Sequence, residues 1–355
     1  MLIVRSPLRI SLAGGGTDLP DYYCNHGGAV INTSIDRYFY IFLRTFSNNG
    51  LEIASADFKT FFRHEEESPL AMDGDLHLPK AIFHHFAITK GVSLFLASEI
   101  PPGTGLGSSG SVAVGLVKAL SMACGLTWSR AEIAELAAFI EIEKLGSPIG
   151  KQDQYAASFG GLNVIEFRNH KTRVEPLKIS LDHQERLQQS LMLFYTGQKR
   201  NANEILSQQK EASKTKEGQT LEALHRVREM VPAVQKCLEC GDIESFGRLL
   251  HENWQQKKRF AQGVSNPRID EYYEAAVRAG AWGGKITGAG GGGFLMLCCD
   301  EAVQARVSQK MEHLGLIRVG FHFESLGARV IMNSGLRLTS KVGWKEAHTL
   351  LSRTD

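Results

Sequence analysis

The apolar positions along the chain change period several times, and each change marks an element. Residues 2–4 and 10–13 are short β-type runs. Residues 29–35, 38–45 and 51–54 follow as further strands, with Asp36 and Arg37 between the first two of these. Apolar residues recur at helical spacing over 78–89, and 92–98 reads as a strand. A helix is predicted over 111–124, stopped by Gly125. Ser129, with Glu132 three positions on, opens a helix over 129–144 that ends at Gly146-Ser147-Pro148. A short helix over 152–158 and a strand over 162–167 complete the first half.

The second half has a different rhythm. A strand over 191–195 precedes amphipathic helices over 202–216, 220–239, 243–259 and 267–279. A strand over 294–299, a helix over 302–314 and a strand over 317–323 come next, then a strand-like run at 330–332 and a short helix near 345–351. Strand, helix and strand after a helical block predict an α+β second unit, and the polar stretch 174–189 is its expected boundary.

Three glycine clusters punctuate this pattern. Residues 101–110 read Pro-Pro-Gly-Thr-Gly-Leu-Gly-Ser-Ser-Gly and run straight into the helix expected from 111. Gly103, Gly105 and Gly107 let the backbone turn tightly, and a helix N-terminus offers unpaired N–H groups, so this segment is a predicted phosphate cradle. It lacks the Gly-Lys-Ser/Thr of a Walker loop and the glycine spacing of a dinucleotide fingerprint. The other clusters are Arg-Ile-Ser-Leu-Ala-Gly-Gly-Gly-Thr-Asp over 9–18 and Lys-Ile-Thr-Gly-Ala-Gly-Gly-Gly-Gly-Phe over 285–294. Each lies beside a strand-like run, which a flexible linker would not have.

Composition narrows the class. A chain of 355 residues has room for two domains, and 43% hydrophobic with 22% charged residues is ordinary for a globular protein. A net charge of +2 with scattered charges argues against a nucleic-acid partner. With no membrane-length apolar stretch and no leader-like start, a cytoplasmic enzyme without a membrane partner is expected. Cys237 and Cys240 stand three apart without a second pair or a nearby histidine, so no zinc site is expected, and no disulfide framework is implied.

All three clusters, in order, resemble the motifs of the small-molecule kinases that include galactokinase, homoserine kinase, mevalonate kinase and phosphomevalonate kinase, the GHMP kinases. The resemblance spans residues 5–19, 101–111 and 285–294 and so frames most of the chain. It implies a two-domain α+β fold. Residues 1–180 would form a mixed α/β unit with a left-handed βαβ-type phosphate loop, and 181–355 a ferredoxin-like α+β unit. Within the family, Ser11 to Pro20 and Gly150 to Ala157 resemble the sugar 1-kinases that act on D-glycero-D-manno-heptose 7-phosphate, with bacterial-type fucokinase as a near relative. Galactokinases usually show Glu-His before the Thr-Asp pair, and Thr17-Asp18 lacks it. The resemblance thus implies ATP-dependent phosphorylation of a sugar phosphate at the anomeric hydroxyl. A fucose-type or other free-sugar kinase, or a non-catalytic ATP and sugar sensor, are its alternatives.

The same resemblance implies roles. Asp153 would orient or deprotonate the acceptor hydroxyl. Arg9 would hold that carboxylate charged and stabilise the transferring group, with Arg5 as the alternative. Pro102, Gly103, Gly105, Leu106, Gly107, Ser108 and Ser109 would take the ATP phosphates, and Ser109 with Glu141 (or Glu143) would hold Mg2+. Gly15, Gly16, Thr17 and Asp18 would shape the sugar pocket, and Gly288, Gly290 and Gly291 would lie across the cleft. Lys151, Lys199, Arg200 and Arg37 are candidate partners for the sugar's own phosphate. Phe58 and Phe61 are candidates for the adenine pocket.

Overall fold

Two long strands replace the four short ones suggested by the first hydrophobic runs. β1 (Leu2–Ala13) is followed by α1 (Pro20–His26) and by β2 (Gly28–Thr45), which pairs antiparallel with β1. Pro7 faces Tyr38 and Leu8 faces Ile35, so Asp36 and Arg37 bulge out of the register. Pro7 has no N–H for the ladder, and the bulge falls where that bond is missing. The polar pair between the two expected strands is a bulge inside one continuous strand.

The computed structural model describes residues 1–46, 50–65, 70–169, 171–198, 202–214 and 218–340. The first unit continues through β3 (Gly50–Ser55), β4 (Thr60–Glu65), α2 (His77–His85), β5 (Val92–Ser98), α3 (Ser108–Ala123), α4 (Arg130–Phe139), α5 (Gln152–Phe159), β6 (Leu162–Arg168) and β7 (Lys171–Pro176). Then follow α6 (Leu181–Ser190), β8 (Leu191–Tyr195), α7 (Ala202–Lys214), α8 (Gln219–Glu229), α9 (Val231–Cys240), α10 (Ile243–Lys257), α11 (Pro267–Arg278), β9 (Gly283–Ile286), β10 (Phe294–Cys298), α12 (Glu301–His313), β11 (Ile317–Arg318) and β12 (Arg329–Asn333). The helix expected over 220–239 breaks at Met230, because Pro232 sits in the first turn of α9 and cannot continue the preceding ladder. The expected helix near 345–351 lies outside the described residues.

The first sheet runs β12-β1-β2-β5-β3-β4, with β6 and β7 branching from β2. The β3–β5 pair is parallel. The second sheet runs β11-β8-β10-β9 with antiparallel pairs. Numbered within itself that order is 4-1-3-2, the ferredoxin-like arrangement. β12 is a correction to the expected second unit of 181–355. It pairs with β1, Leu338 N–H donates to the Ala123 carbonyl, and Leu336 joins the first unit's core. We propose a division near residue 180, with the stretch after β11 returned to the first unit.

An apolar core joins the units. Leu8, Ile10 and Leu106 pack with Leu193, Phe246, Phe294 and Met296. The cleft described below opens at its edge. Among the described residues, no helix is long and apolar enough to cross a membrane.

Candidate active site

The expected phosphate loop is built on backbone that favours glycine. Gly103, Gly105 and Gly107 have φ of +76°, +85° and +80°. Gly107 precedes the first residue of α3, so the unpaired N–H groups of that first turn face out of the loop. The Ser108 hydroxyl is buried there without a partner among the described residues. Leu106 does not line the cleft. It is fully buried in the inter-unit core and pins the loop, while its carbonyl accepts from Arg9 N–H at 2.9 Å.

The tight spot between α3 and α5 sets the next group. A Cβ on Gly110 would stand 2.7 Å from Asp153 Cβ, so only a glycine lets these helices meet as they do. That approach brings Asp153 beside the loop. Arg9, 4% exposed on β1, meets Asp153 Oδ1 with Nε at 2.7 Å and Nη2 at 2.6 Å. Its Nη1 donates to the Gly105 carbonyl at 2.7 Å. Arg9 thus ties the carboxylate to the glycine loop. Oδ2 is turned to the loop, 3.3 Å from where a Gly107 Cβ would be. Arg5, the alternative, instead stacks on Tyr38 and faces Glu324.

Glu141 owes its position to a feature that the hydrophobic pattern hides. The helix expected over 129–144 keeps its Ser129–Glu132 capping box but widens to a π turn over Ile140–Lys144, closed by Leu145 N–H to the Ile140 carbonyl. Such turns place side chains off the regular α stripe and recur at functional sites. Glu141 is buried and accepts from Gln154 Nε2 at 2.6 Å. Burial pushes its pKa up to about 7; the Gln154 amide and the Ser109 hydroxyl work the other way, and Asp153 raises it further. A carboxyl so placed is one that a cation would stabilise. Glu143 is exposed and does not line the cleft.

The cleft itself has a volume of 680 Å³. Its apolar end is formed by Phe39, Phe58, Leu76, Leu78, Pro79 and Leu96. Phe61 is not among its lining residues and is 63% exposed. Ser108, Ser109, Glu141 and Asp153 occupy the middle, together with Pro102 and the loop glycines Gly103, Gly105 and Gly107. The other end holds Ser11, Gly15, Gly16, Asp18, Gln152, Gln209 and Phe260. There Ser11 Oγ, Gln152 Oε1 and Gln209 Nε2 are buried without hydrogen-bond partners among the described residues. A Cβ at Gly15 would come within 3.1 Å of Ser11 Oγ, and one at Gly16 within 2.9 Å of Gln209 Nε2 and of Phe260. The two glycines leave room between polar atoms that lack partners.

Several of the expected site residues are held by partners within the protein. Asp18 accepts from Gly16 N–H at 2.9 Å and from Gln152 Nε2 at 3.0 Å, so it fastens the glycine turn to the start of α5. Burial, then the charge of Asp153, raises its pKa. Thr17 is fully buried, and its hydroxyl donates to the carbonyls of Gly14 and Ala29. Gly288 lines the cleft, whereas Gly291 N–H donates to the Val264 carbonyl and Gly290 packs on Val264. Lys151 points away from the cleft. It sits just before α5 and pairs with Glu135 of α4 at 2.7 Å. Arg37 is held in the β2 bulge by the carbonyls of Asp36 and Gly320. Lys199 and Arg200 lie outside the described residues.

Sequence reasoning missed the amides Gln152 and Gln209, Lys257 and Lys285. Lys257 Nζ donates to the carbonyls of Ile286 and Gly288 and so holds the third glycine cluster in shape. Lys285 is 2% exposed and lines the cleft; burial, then Arg9, lowers its pKa to about 7. Its position at the head of the third cluster was the available signal. Among the described residues no cluster of three His, Cys, Asp or Glu suits a metal, and Cys237 and Cys240 are free thiols.

Comparison with known proteins fits this geometry. The GHMP kinase N-terminal domain matches residues 77–161, and the GHMP kinase C-terminal domain matches 220–315. The D-glycero-alpha-D-manno-heptose 7-phosphate kinase of Campylobacter jejuni is 35% identical over 302 residues, covering 83% of this chain and 88% of that kinase. The crystal structure of a D-glycero-D-manno-heptose 1-phosphate kinase from Bacteroides thetaiotaomicron superposes with a TM-score of 0.77 at 28% identity, over 94% of this chain and all of that one. Lactococcus lactis galactokinase, solved with galactose, shares the fold with a TM-score of 0.72 at 22% identity, over 93% of this chain and 94% of that one. The glycine loop and the two sheets around it are therefore a family inheritance, and the chain belongs to the GHMP kinases.

Proposed function

We propose that this chain is an ATP-dependent sugar 1-kinase that phosphorylates the anomeric hydroxyl of D-glycero-D-manno-heptose 7-phosphate. The observation that carries the reading is the Arg9–Asp153 pair, set between the N-terminus of α3 and the pocket of unpartnered polar atoms. Phosphoryl transfer asks for positioning and charge neutralisation more than for covalent chemistry. Asp153 Oδ2 takes the proton of the attacking hydroxyl, and Arg9 fixes the carboxylate through Oδ1 and steadies the loop through Gly105. Ser11, Gln152 and Gln209 answer the hydroxyls of a polyol. The apolar end receives the base of ATP, and the loop receives its phosphates.

The heptose is favoured because the Campylobacter relative is named for a heptose 7-phosphate and the Bacteroides one for a heptose 1-phosphate. The two names differ in which carbon carries the phosphate and agree on a heptose phosphate. Mg2+ fits the donor set, since it prefers one or two carboxylate or hydroxyl ligands beside phosphates and water. Glu141 and Ser109 would hold it, and the ion would neutralise the phosphate charge. An ATP-consuming step also agrees with the expected cytoplasmic location.

The test is a coupled ADP-release assay with ATP and Mg2+ over heptose 7-phosphate, mannose, fucose, galactose and sedoheptulose 7-phosphate. Selective turnover of the heptose phosphate is expected. Turnover of a free sugar alone would overturn the heptose assignment, and binding of ATP and sugar without turnover would overturn the kinase.

A further inference from the structure

Lys285 is buried at 2% exposure on the cleft lining and takes no part in the transfer proposed for Asp153 and Arg9. Lys285 stands opposite Met296 in the β9–β10 pair. Met296 packs in the core shared by the two units, beside Leu8, Ile10 and Leu106. Directly opposed residues project to the same face of a sheet. Lys285 therefore reaches out of the second sheet toward β1 of the first unit, at the floor of the cleft. Arg9, on β1, lines the same cleft.

The charged groups around this spot are accounted for. Asp153 is engaged by Arg9, and Glu141 by Gln154. Asp18 is engaged by Gly16 and Gln152. Lys257 reaches the carbonyls of Ile286 and Gly288. Among the described residues the Lys285 side chain has neither a hydrogen-bond nor an ion-pair partner. Arg9 has Asp153 as its counter-charge, whereas Lys285, 2% exposed and lining the same cleft, has none among the described residues. A buried charge is tolerated where a counter-charge answers it, and the described residues supply none. The lowered pKa agrees with this, since an ammonium paired with a fixed anion would be held charged.

We propose that Lys285 is a phosphate-binding residue, which with Arg9 forms a two-cation site, one cation from each unit, for a phosphate group of the bound reactants. The source of that phosphate rests on the kinase reading. The donor's transferring phosphoryl group and the acceptor's own phosphate share the needed chemistry, a compact oxyanion with several acceptor oxygens. In either case the site takes its anion only when both units are in place around the cleft.

The test uses the full chain with Lys285→Met, which keeps the length of the side chain, and Lys285→Arg, which keeps its charge. Binding of inorganic phosphate and of tripolyphosphate is measured by calorimetry, with no turnover needed. Lys285→Met is expected to weaken one or both by about tenfold or more, the worth of one charge-assisted hydrogen bond, and Lys285→Arg to restore most of it. Unchanged binding of both probes in a folded Lys285→Met protein would overturn the proposal. Kinetics then separate the sources. A higher KM for the heptose phosphate with kcat and the KM for ATP kept would assign the acceptor's phosphate. A lower kcat with both KM values kept would assign the transferring group. Lys285-dependent phosphate binding without any sugar-dependent turnover would overturn the kinase and keep the site. If Lys285→Met does not fold, acylation of Lys285 in the wild-type chain is followed by mass spectrometry. Protection by phosphate supports the proposal, and labelling at the same rate overturns it.

Discussion

Gly110 offers a way to move Asp153 without touching its chemistry. A methyl at this position would stand 2.7 Å from Asp153 Cβ, 3.0 Å from its carbonyl carbon and 3.1 Å from Gln154 N. Carbon atoms in contact sit about 3.5–4.0 Å apart, so α3 and α5 have to part by roughly 1 Å in Gly110→Ala. Gly110 lies within α3 and is not in the left-handed region, so alanine suits its backbone and favours the helix by about 1 kcal/mol. Overpacking costs about 1–3 kcal/mol, which leaves a net loss of at most about 2 kcal/mol. The chemistry is expected to suffer more. A misplacement of about 1 Å at a reacting group costs about 100-fold in rate. Gly110→Ala should therefore fold, bind ATP nearly normally and lose about 100-fold in kcat in the coupled ADP-release assay. Gly115→Ala in the same helix is the control. Its methyl would meet the end of the Ile41 side chain at 2.3 Å, in the core and away from Asp153. It should lose stability and keep its kcat. A Gly110→Ala enzyme with wild-type kcat, or an equal loss of kcat in Gly115→Ala, would refute the claim that this contact positions the carboxylate.

Asp153→Asn keeps the shape and removes the proton acceptor, so kcat should fall about 10²–10⁴-fold with nucleotide binding retained; full activity would remove Asp153 from the mechanism. Lys151→Ala should leave the KM for the heptose phosphate unchanged and cost at most about 1 kcal/mol of stability, because Lys151 is spent on Glu135; a tenfold rise in that KM would contradict its placement outside the cleft. Burial raises Glu141 from 4.5 to about 7, so in that interval the folded chain keeps a proton that the unfolded chain has released. Its contribution to stability then falls as pH rises from 4.5 to 7, and Glu141→Gln should flatten that slope in urea titrations across the interval. An identical slope in the variant would show that Glu141 is not the group responsible.

Much of the site was legible in the sequence because glycine-rich motifs state a backbone requirement outright. Gly103, Gly105, Gly107, Ser108 and Ser109 line one cleft with Arg9, Asp153 and Glu141. What was not legible depends on distances that no motif encodes. Lys151 looked like a phosphate contact because it is two residues from Asp153, yet the start of α5 turns it toward α4. Gln209 and Lys285 reach the cleft from elements far along the chain, and only the packing of the two units brings them there. In the fold, β7 was missed because Lys171–Pro176 pairs with β6 alone and is mostly exposed, so it carries no apolar alternation. The return of β12 to β1 was invisible for a different reason. A strand's sequence reports its burial, not its partner.

This cleft is proposed to build a phosphate ester on the anomeric carbon of a sugar that already carries a phosphate. Phosphorus NMR of the reaction of the wild-type chain with ATP, Mg2+ and D-glycero-D-manno-heptose 7-phosphate tests it most directly. A second sugar phosphate signal, coupled to the anomeric proton, is expected to grow with ADP and to grow about 10²–10⁴-fold more slowly with Asp153→Asn. ADP formation without that signal, or a new phosphate coupled to any other proton, would contradict it.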